Sequence, residues 1–331
     1  MPLHDVHYQH WEGQHLGIWH RRAVIAKQGL KACLQVKWMR YIVTLCWAGA
    51  LLQVIVLFFL GQLLVPDSLI VQWLGNLNPR LQNIARGLMT WLAEHPEVSV
   101  RTTYNLLFYY FTSNLVTFTF IAIALAIPHL ITRDLSSNAI VVYASKAIGW
   151  FDYLLSKLAT IFGLMILTWL GPVCVAWFVG NLLSTHWHFF WHSRVALFHV
   201  LAYAISSMMV LSILALGISA VSSKARTTVS LWMVLWLLGN ALVPIALQTK
   251  PWLKHLSLEH NLQQIALTVF HLKEDFQIAQ NNIPLLGQLL RGLRDQRSFA
   301  LENPESAGAL IGIGVLVALS LIVIARKVKP E

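Results

Sequence analysis

Residues 106–131 read LLFYYFTSNLVTFTFIAIALAIPHLI, an apolar stretch that contains no Asp, Glu, Lys or Arg. A run of about 20 apolar residues is long enough to cross the ~30 Å hydrocarbon core of a bilayer. Because backbone amides in hydrocarbon must hydrogen-bond within their own segment, such a run is expected to be helical. This stretch therefore predicts a transmembrane helix and an all-α integral membrane fold.

Five further stretches share this character. Hydropathy predicts six spans, at residues 41–64, 106–131, 158–183, 195–221, 229–247 and 306–325. Composition agrees, because 57% of the 331 residues are hydrophobic and only 11% are charged, against about 25% charged in soluble domains. Cys33, Cys46 and Cys174 stand far apart without CxxC spacing and predict neither a disulfide framework nor a zinc site.

Basic residues are distributed unevenly between the segments that flank these spans. Residues 1–40, the loop 132–157, the fourth loop and the tail 326–331 together hold 14 Lys and Arg against 5 acidic residues. The other loops, which include the long outer loop 249–305, hold 10 against 9. Since Lys and Arg accumulate on the cytoplasmic side, both termini are predicted to be cytoplasmic in a plasma (inner) membrane protein. The net charge of +10 reflects this topology, so no nucleic-acid partner is expected.

Apolar residues recur at spacings of three and four ahead of the first span. They are Leu16, Trp19, Ala23, Ala26, Leu30, Cys33 and Leu34, while Arg21, Arg22, Lys27, Lys31 and Lys37 fall largely on other faces. This pattern is typical of a basic amphipathic helix that lies in the headgroup layer. Two roles remain open: an anchor against membrane lipid, or part of a docking surface for a cytoplasmic partner.

The loop 132–157 carries the most specific motifs of the chain. A charged exit from span two is followed by a short predicted helix capped by Ser136 or Ser137, a Gly turn and a re-entry helix near Asp152. The stretches that define its pattern are Arg133-Asp134, Asn138-Ala139, Tyr143-Ala144-Ser145-Lys146-Ala147 and Tyr153-Leu154-Leu155-Ser156-Lys157. In this pattern the loop resembles the cytoplasmic coupling loop of type-2 ABC transporter permeases. Lys146-Ala147 stands where Arg-Pro is common in that family, and Ser156 where Gly is common.

The resemblance implies the membrane-spanning subunit of an ATP-driven exporter. Such a permease pairs with a second permease subunit, here expected to form a homodimer, and with ABC ATPase subunits that bind ATP and Mg. The loop helix would transmit closure of the ATPase to the membrane helices. The residues that the resemblance implies in ATPase coupling are Arg133, Asp134, Asn138, Tyr143, Lys146, Tyr153 and Lys157.

Common enzyme signatures are absent from the sequence. No GxxxxGK[ST], GxSxG or HExxH occurs, so the chain is expected to be no enzyme, with no catalytic residue and no cofactor of its own. The predicted spans contain no Asp, Glu, Lys, Arg or His except His129 and His199, which disfavours an intramembrane enzyme or a proton-coupled carrier. The alternative function is a non-transporting membrane scaffold or assembly factor with the same six-helix fold.

Two helix faces are candidates for the substrate path, which in this family is often lined by spans two and five. Phe111, Asn114 and Phe118 share one face of span two, and Trp232, Trp236 and Asn240 share one face of span five. Such faces also form ordinary helix contacts, in which a buried Asn bonds across helices, and that reading remains open. The transported substrate is not assigned.

The outer loops and two histidine clusters complete the sequence. Helices are predicted near 79–92, 258–280 and 285–297, and the last two would form a structural lid. The histidine clusters are His4, His7, His10, His15 and His20, and His186, His188 and His192. Imidazoles at such spacing can bind zinc, nickel or copper. The second set also accompanies Trp187 and Trp191 of a predicted interfacial aromatic belt, and neither set is assigned as a metal site.

Overall fold

The computed structural model describes residues 17–62, 76, 79–139, 149–184, 187–248, 250–282 and 304–328. Every regular element within these ranges is helical. The helices are α1 (Ile18–Gln35), α2 (Lys37–Gln62), α3 (Pro79–Glu94), α4 (Pro96–Ala126), α5 (Thr132–Ser136), α6 (Trp150–Met165), α7 (Gly171–Leu182), α8 (Trp187–Val221), α9 (Ala225–Gln248), α10 (Leu258–Val269), α11 (Leu272–Asn282) and α12 (Ser306–Val328). Short 3-10 segments occur at Ile127–His129 and Pro251–Leu256, and a π turn at Ile166–Leu170 joins α6 to α7.

Six helical segments of the described chain are long and apolar enough to cross a membrane. They are Lys37–Gln62, Pro96–Ser136, Trp150–Leu182, Phe189–Val221, Ala225–Pro244 and Ser306–Lys327. Each overlaps one of the six spans expected from hydropathy, and the second begins at Pro96, well before the apolar run itself. The predicted all-α, six-helix membrane fold is confirmed, and the chain is a multi-pass membrane protein.

Helices α4 and α8 form the centre of the bundle. In their most apolar windows 67% and 61% of the residues are buried, whereas the share is 17% for both α9 and α12. Helix α8 packs along α4 and α12, and α2 packs against α7. The broad exposed faces of α9 and α12 therefore adjoin lipid or another chain.

A π turn marks the middle of the third span. In such a turn each N–H bonds to the carbonyl five residues earlier, but Pro172 has no N–H to give to Leu167. The indole Nε1 of Trp47 donates to the Leu167 carbonyl instead, at 3.0 Å. This bond satisfies the carbonyl and ties α2 to the junction of α6 and α7.

The two ends of the bundle differ in charge. The end that we call the basic end contains α1, α5 and the start of α6, and it carries Arg133, Lys157, Lys224, Arg226, Arg326 and Lys327. The end that we call the opposite end contains α3, α10 and α11. There α11 packs on α4, and α10 packs against α12. The helix predicted near 258–280 is observed as two helices, because the backbone turns at His271, which has φ 51°. The helix predicted near 285–297 lies outside the described residues.

Helix α1 packs along α6. Gly29 makes the close approach possible, because a Cβ at this position would lie 2.6 Å from Thr160 Oγ1. Thr160 in turn donates to the carbonyl of Ala26 at 3.3 Å. Cys33 is fully buried, whereas Trp19 is 73% exposed. A helix is thus present where the sequence indicates one, and its place in the headgroup layer stays a prediction.

Candidate functional site

Helix α4 gives way to a 3-10 segment immediately before the loop 132–157. Pro128 lies in the 3-10 segment that ends α4, and Ser219 of α8 supplies hydrogen bonds at the break. Ser219 Oγ donates to the carbonyl of Ile127 at 2.9 Å and accepts the N–H groups of Ile131 at 2.8 Å and Thr132 at 3.0 Å. The chain therefore enters the short helix α5 in a fixed direction.

Three of the residues implied in coupling come together inside the basic end. Asp134 of α5 accepts the hydroxyl of Tyr153 and the ammonium of Lys157 on the same oxygen, Oδ2, at 2.7 Å each. The Lys157 ammonium also lies 5.5 Å from the centre of the Tyr153 ring. The side chains of Lys157 and Asp134 are only 6% and 12% exposed. These contacts join the helix that leaves span two to the helix that begins span three.

Burial makes this ion pair costly to break. A buried charge whose partner is removed costs about 3–5 kcal/mol, because the remaining charge has lost both water and its counter-ion. Asp134 and Lys157 are therefore held together as long as this end of the bundle is folded. The pair therefore joins α5 to α6.

A second ion pair connects α1 to the same place. Arg22 of α1 binds Asp152, in the first turn of α6, and its Nε lies 2.9 Å from Asp152 Oδ1. The two side chains are 18% and 13% exposed. We call Arg22, Asp134, Asp152, Tyr153 and Lys157 the basic-end cluster. It unites α1, α5 and α6 by two ion pairs.

The other residues implied in coupling lie apart from this cluster. Arg133 and Asn138 are exposed, and Asn138 has the left-handed φ of 53° that asparagine tolerates. Tyr143 and Lys146 lie outside the described residues. Arg133 and Asn138 are therefore available to a partner, whereas Asp134, Tyr153 and Lys157 are occupied within the chain.

The two serines expected to cap a helix in this loop act at the end of α5. The hydroxyls of Ser136 and Ser137 donate to the carbonyl of Arg133 at 2.8 Å and 2.9 Å. The backbone N–H of Ser137 donates to the same carbonyl at 3.1 Å, so three hydrogen bonds close the end of this short helix. A helix beyond Ala139, which the sequence predicts, lies outside the described residues.

The aromatic face of α9 is bonded within the chain. Trp232 is fully buried and its indole donates to the carbonyl of Phe120 at 3.0 Å. Trp236 donates to Glu259 Oε2 at 2.7 Å, and Asn240 donates to the same oxygen. These three predicted substrate-path residues thus fasten α9 to α4 and to the start of α10. Their role in a substrate path stays a prediction.

The candidate face of α4 does not point at those residues. Phe111 is buried, and its ring would lie 3.5 Å from a Cβ placed on Gly49 of α2. Phe118 is half-buried, and Asn114 is exposed. Helix α9 instead contacts α4 at Phe120, a residue that no sequence pattern marks as a site residue. Asn114 therefore presents an amide on the outside of a membrane-spanning helix.

A buried carboxylate anchors α11 at the opposite end. Asp275, which is 3% exposed, accepts hydrogen bonds from Thr102 Oγ1 at 3.0 Å and Asn105 Nδ2 at 2.8 Å. Burial raises the pKa of this carboxyl, and the two hydrogen bonds and Arg101 oppose that rise. Asn105 Oδ1 also lies 3.1 Å from His199 Nδ1. No sequence motif marks this contact, because its members lie on elements far apart in the chain.

A polar cluster fastens the start of α12. Glu305 Oε1 lies 2.6 Å from Lys254 Nζ, and its Oε2 lies 3.2 Å from His255 Nε2. The bond to Lys254 is the largest of the influences that lower the pKa of Glu305. Burial, followed by the nearby His255 and Lys254, lowers the pKa of His260 to about 4. Gly312 allows this packing, because a Cβ there would lie 2.6 Å from the carbonyl oxygen of His255.

Only part of each histidine cluster belongs to the described residues. Of the first set only His20 belongs to the described residues, and His186 lies outside them. Within the described ranges no group of three or more His, Cys, Asp or Glu side chains is arranged to hold a metal ion.

The fold and the basic-end cluster together define a multi-pass α-helical membrane protein with a charged, internally paired connection between its second and third spans. No protein-family model matches the chain, and no curated protein matches it.

Proposed function

We propose that this chain is the membrane-spanning permease subunit of an ATP-driven ABC exporter. The observation that carries the proposal is the buried contact of Asp134 with Tyr153 and Lys157. It joins α5, where the second span ends, to α6, where the third span begins. A force applied to either helix would pass through this contact to the second and third spans together, as coupling to an ATPase requires.

The contacts of the basic-end cluster extend this path to α1. Arg22 binds Asp152, so a displacement of the start of α6 also displaces α1. Ser219 binds the break at the end of α4, so the same displacement reaches the central helix α8. A push on this end would thereby move α1, α4, α6 and α8 as one unit.

The proposal places the basic end in the cytoplasm, with both chain termini on that side of a plasma (inner) membrane. The distribution of Lys and Arg supports this orientation, because translocation disfavours positive charge in short loops. The ATPase would bind ATP and Mg, since this sequence has no phosphate-binding loop of the GxxxxGK[ST] type.

A second permease subunit, expected to be an identical copy, would cover part of the exposed bundle surface. Asn114 supports this, because polar side chains in membrane helices usually face other protein or a water-filled cavity rather than lipid. The exposed face of α9, which starts close to the basic end, is a further candidate for this contact.

Co-purification with an ATPase tests the proposal. The full chain, affinity-tagged in its own host and extracted in mild detergent, is expected to retain a P-loop protein and vanadate-sensitive ATP hydrolysis. Arg133→Glu, an exposed change beside Asp134, is expected to lower the retained hydrolysis at least tenfold. Lys224→Glu, an exposed change at the same end of the bundle, is the matched control and should retain it.

Two outcomes would contradict the proposal. One is a folded complex without any P-loop protein, which would favour the scaffold function. The other is equal ATPase retention by wild type, Arg133→Glu and Lys224→Glu, which would remove the loop from the interface.

A further inference from the structure

A small cavity opens at the opposite end of the bundle, between the first turns of α4 and α8. It has a volume of about 150 Å³ and is lined by Glu97, Arg101, Trp191, His192, Arg194 and Val195. Pockets for drug-sized ligands measure ~300–1,000 Å³. This cavity therefore fits a small charged group better than a large substrate.

Exposed tryptophans indicate the depth of this cavity. Trp187 and Trp191, in the first turns of α8, are 74% and 53% exposed. Exposed tryptophans at the ends of membrane helices lie at the level of the lipid headgroups. The cavity mouth is thus at the place where the phosphate and amine groups of phospholipids are found.

Two guanidinium groups, those of Arg101 and Arg194, line the cavity. Among the described residues, no carboxylate lies within 4 Å of the guanidinium of Arg101 or of Arg194. Instead the Arg194 guanidinium stacks on Trp191, 3.8 Å from the ring centre. Stacking holds this guanidinium in place and leaves its N–H groups at the edge, where they can bind phosphate oxygens.

A carboxylate in the same cavity narrows the choice of ligand. Glu97 lies one helical turn before Arg101 and lines the cavity with it. A simple anion would be repelled by this carboxylate. A group that carries a phosphate and an ammonium two carbons apart would satisfy both the arginines and Glu97.

We propose that this cavity binds a phosphoethanolamine group, with its phosphate on Arg101 and Arg194 and its ammonium on Glu97. The ammonium has N–H donors for the carboxylate, whereas the quaternary amine of phosphocholine has none. This group occurs on phosphatidylethanolamine and as a free headgroup. The site is independent of ATPase coupling, which is proposed for the other end of the bundle.

Native mass spectrometry of the full chain tests this site. Protein purified in a maltoside detergent is titrated with dihexanoyl phosphatidylethanolamine, the matching phosphatidylcholine and phosphatidylglycerol, and free phosphoethanolamine. Wild type is expected to bind phosphatidylethanolamine at least tenfold more tightly than the other two lipids. Saturation by free phosphoethanolamine with equal affinity would identify the headgroup alone as the ligand, and much tighter binding of the lipid would identify the phospholipid.

Variants at three lining residues test which side chains contact the phosphate and the ammonium. Arg101→Gln and Arg194→Gln are each expected to weaken phosphatidylethanolamine binding about tenfold, the effect of losing one charge-assisted hydrogen bond. Glu97→Gln is expected to reverse the preference, so that phosphatidylglycerol binds more tightly than phosphatidylethanolamine. Arg86→Gln and Glu94→Gln, exposed changes on α3, are the controls and should behave as wild type.

Arg194→Gln is expected to fold as wild type does, because Arg194 is exposed and the substitution removes no described hydrogen bond of the bundle. Equal binding of the three lipids by wild type would overturn the proposal. Unchanged phosphatidylethanolamine affinity in Arg194→Gln together with unchanged lipid preference in Glu97→Gln would also overturn it.

Discussion

Lys157 Nζ lies 2.7 Å from Asp134 Oδ2, and neither side chain is more than 12% exposed. Asp134 lies on α5 and Lys157 on α6, so their contact joins the helix at the end of the second span to the helix that begins the third. Tyr153 adds a hydrogen bond to the same carboxylate oxygen.

Removal of one charge of this pair is expected to destabilise the bundle. Asp134→Asn leaves the Lys157 ammonium buried without its counter-ion, and the loss should be about 3 kcal/mol. Thermal unfolding in detergent, followed by intrinsic fluorescence, measures it. Asp134→Asn combined with Lys157→Met should recover part of the loss, because no buried charge remains. Arg133→Gln, at an exposed neighbour, is the control. Equal melting of all variants would show that the pair contributes nothing.

Cys33 reports whether α1 stays attached to α6. Burial raises the pKa of its thiol to about 11, so the reactive thiolate is scarce near neutral pH. Gly29→Val places a larger side chain against Thr160, and Arg22→Gln breaks the bond to Asp152. Either change is expected to speed maleimide labelling of Cys33 at least tenfold, measured by mass spectrometry of the labelled peptide. Lys27→Gln, at an exposed position of α1, should not. Rapid labelling of Cys33 in wild type would contradict the packing.

His260 is expected to lower the folding stability of the protein at acidic pH. Its pKa is lowered to about 4 from an ordinary value of 6.5, so the unfolded chain binds a proton there before the folded chain does. Stability should therefore fall as the pH drops from about 6.5 to about 4. His260→Gln is expected to flatten the melting temperature across that window.

The control for this experiment is His271→Asn, since His271 is exposed and asparagine tolerates its positive φ. Asp275, whose pKa is raised, contributes with the opposite sign, because its neutral form is favoured by folding and stability is lost as the pH rises. All three proteins retain Asp275, so their differences isolate His260. Parallel profiles for wild type and His260→Gln would refute the assignment.

Substitution of Asn114 tests whether this face of α4 meets protein or lipid. If a second subunit or a substrate path covers it, Asn114→Leu should lower substrate transport or the ATP hydrolysis of the complex severalfold at unchanged stability. Ile121→Leu, on the same face of α4, is the control and should have no effect. Higher thermal stability with full activity would show that Asn114 faces lipid.

The membrane fold could be predicted because its cause is local. An apolar run such as 106–131 has no other way to satisfy its backbone in hydrocarbon, so span number follows from hydropathy. The extension of the second span back to Pro96 was not predicted, because Thr102 and Asn105 are polar. Both side chains are buried there and bind Asp275, a partner that lies in another part of the chain.

The candidate site could be predicted only in part. The resemblance of the loop 132–157 to permease coupling loops implies a role for Asp134, Tyr153 and Lys157. The structure brings these three residues together. The partnership of Arg22 with Asp152, and of Trp236 with Glu259, depends on how the helices pack. Spacing along the sequence does not encode such contacts between distant elements, so the indole of Trp236 could not be separated from a cavity lining.

The side of the membrane on which Ser137 lies tests most directly whether the loop 132–157 can meet a cytoplasmic ATPase. Ser137→Cys, in a chain whose three native cysteines are replaced by alanine, is treated with a membrane-impermeant maleimide in intact and in permeabilised cells. Glu94→Cys, an exposed position at the opposite end, is the matched control. With the basic end in the cytoplasm, Ser137→Cys is expected to be labelled only after permeabilisation and Glu94→Cys in intact cells. Labelling of Ser137→Cys in intact cells would put the loop outside the cell and would contradict its coupling to a cytoplasmic ATPase.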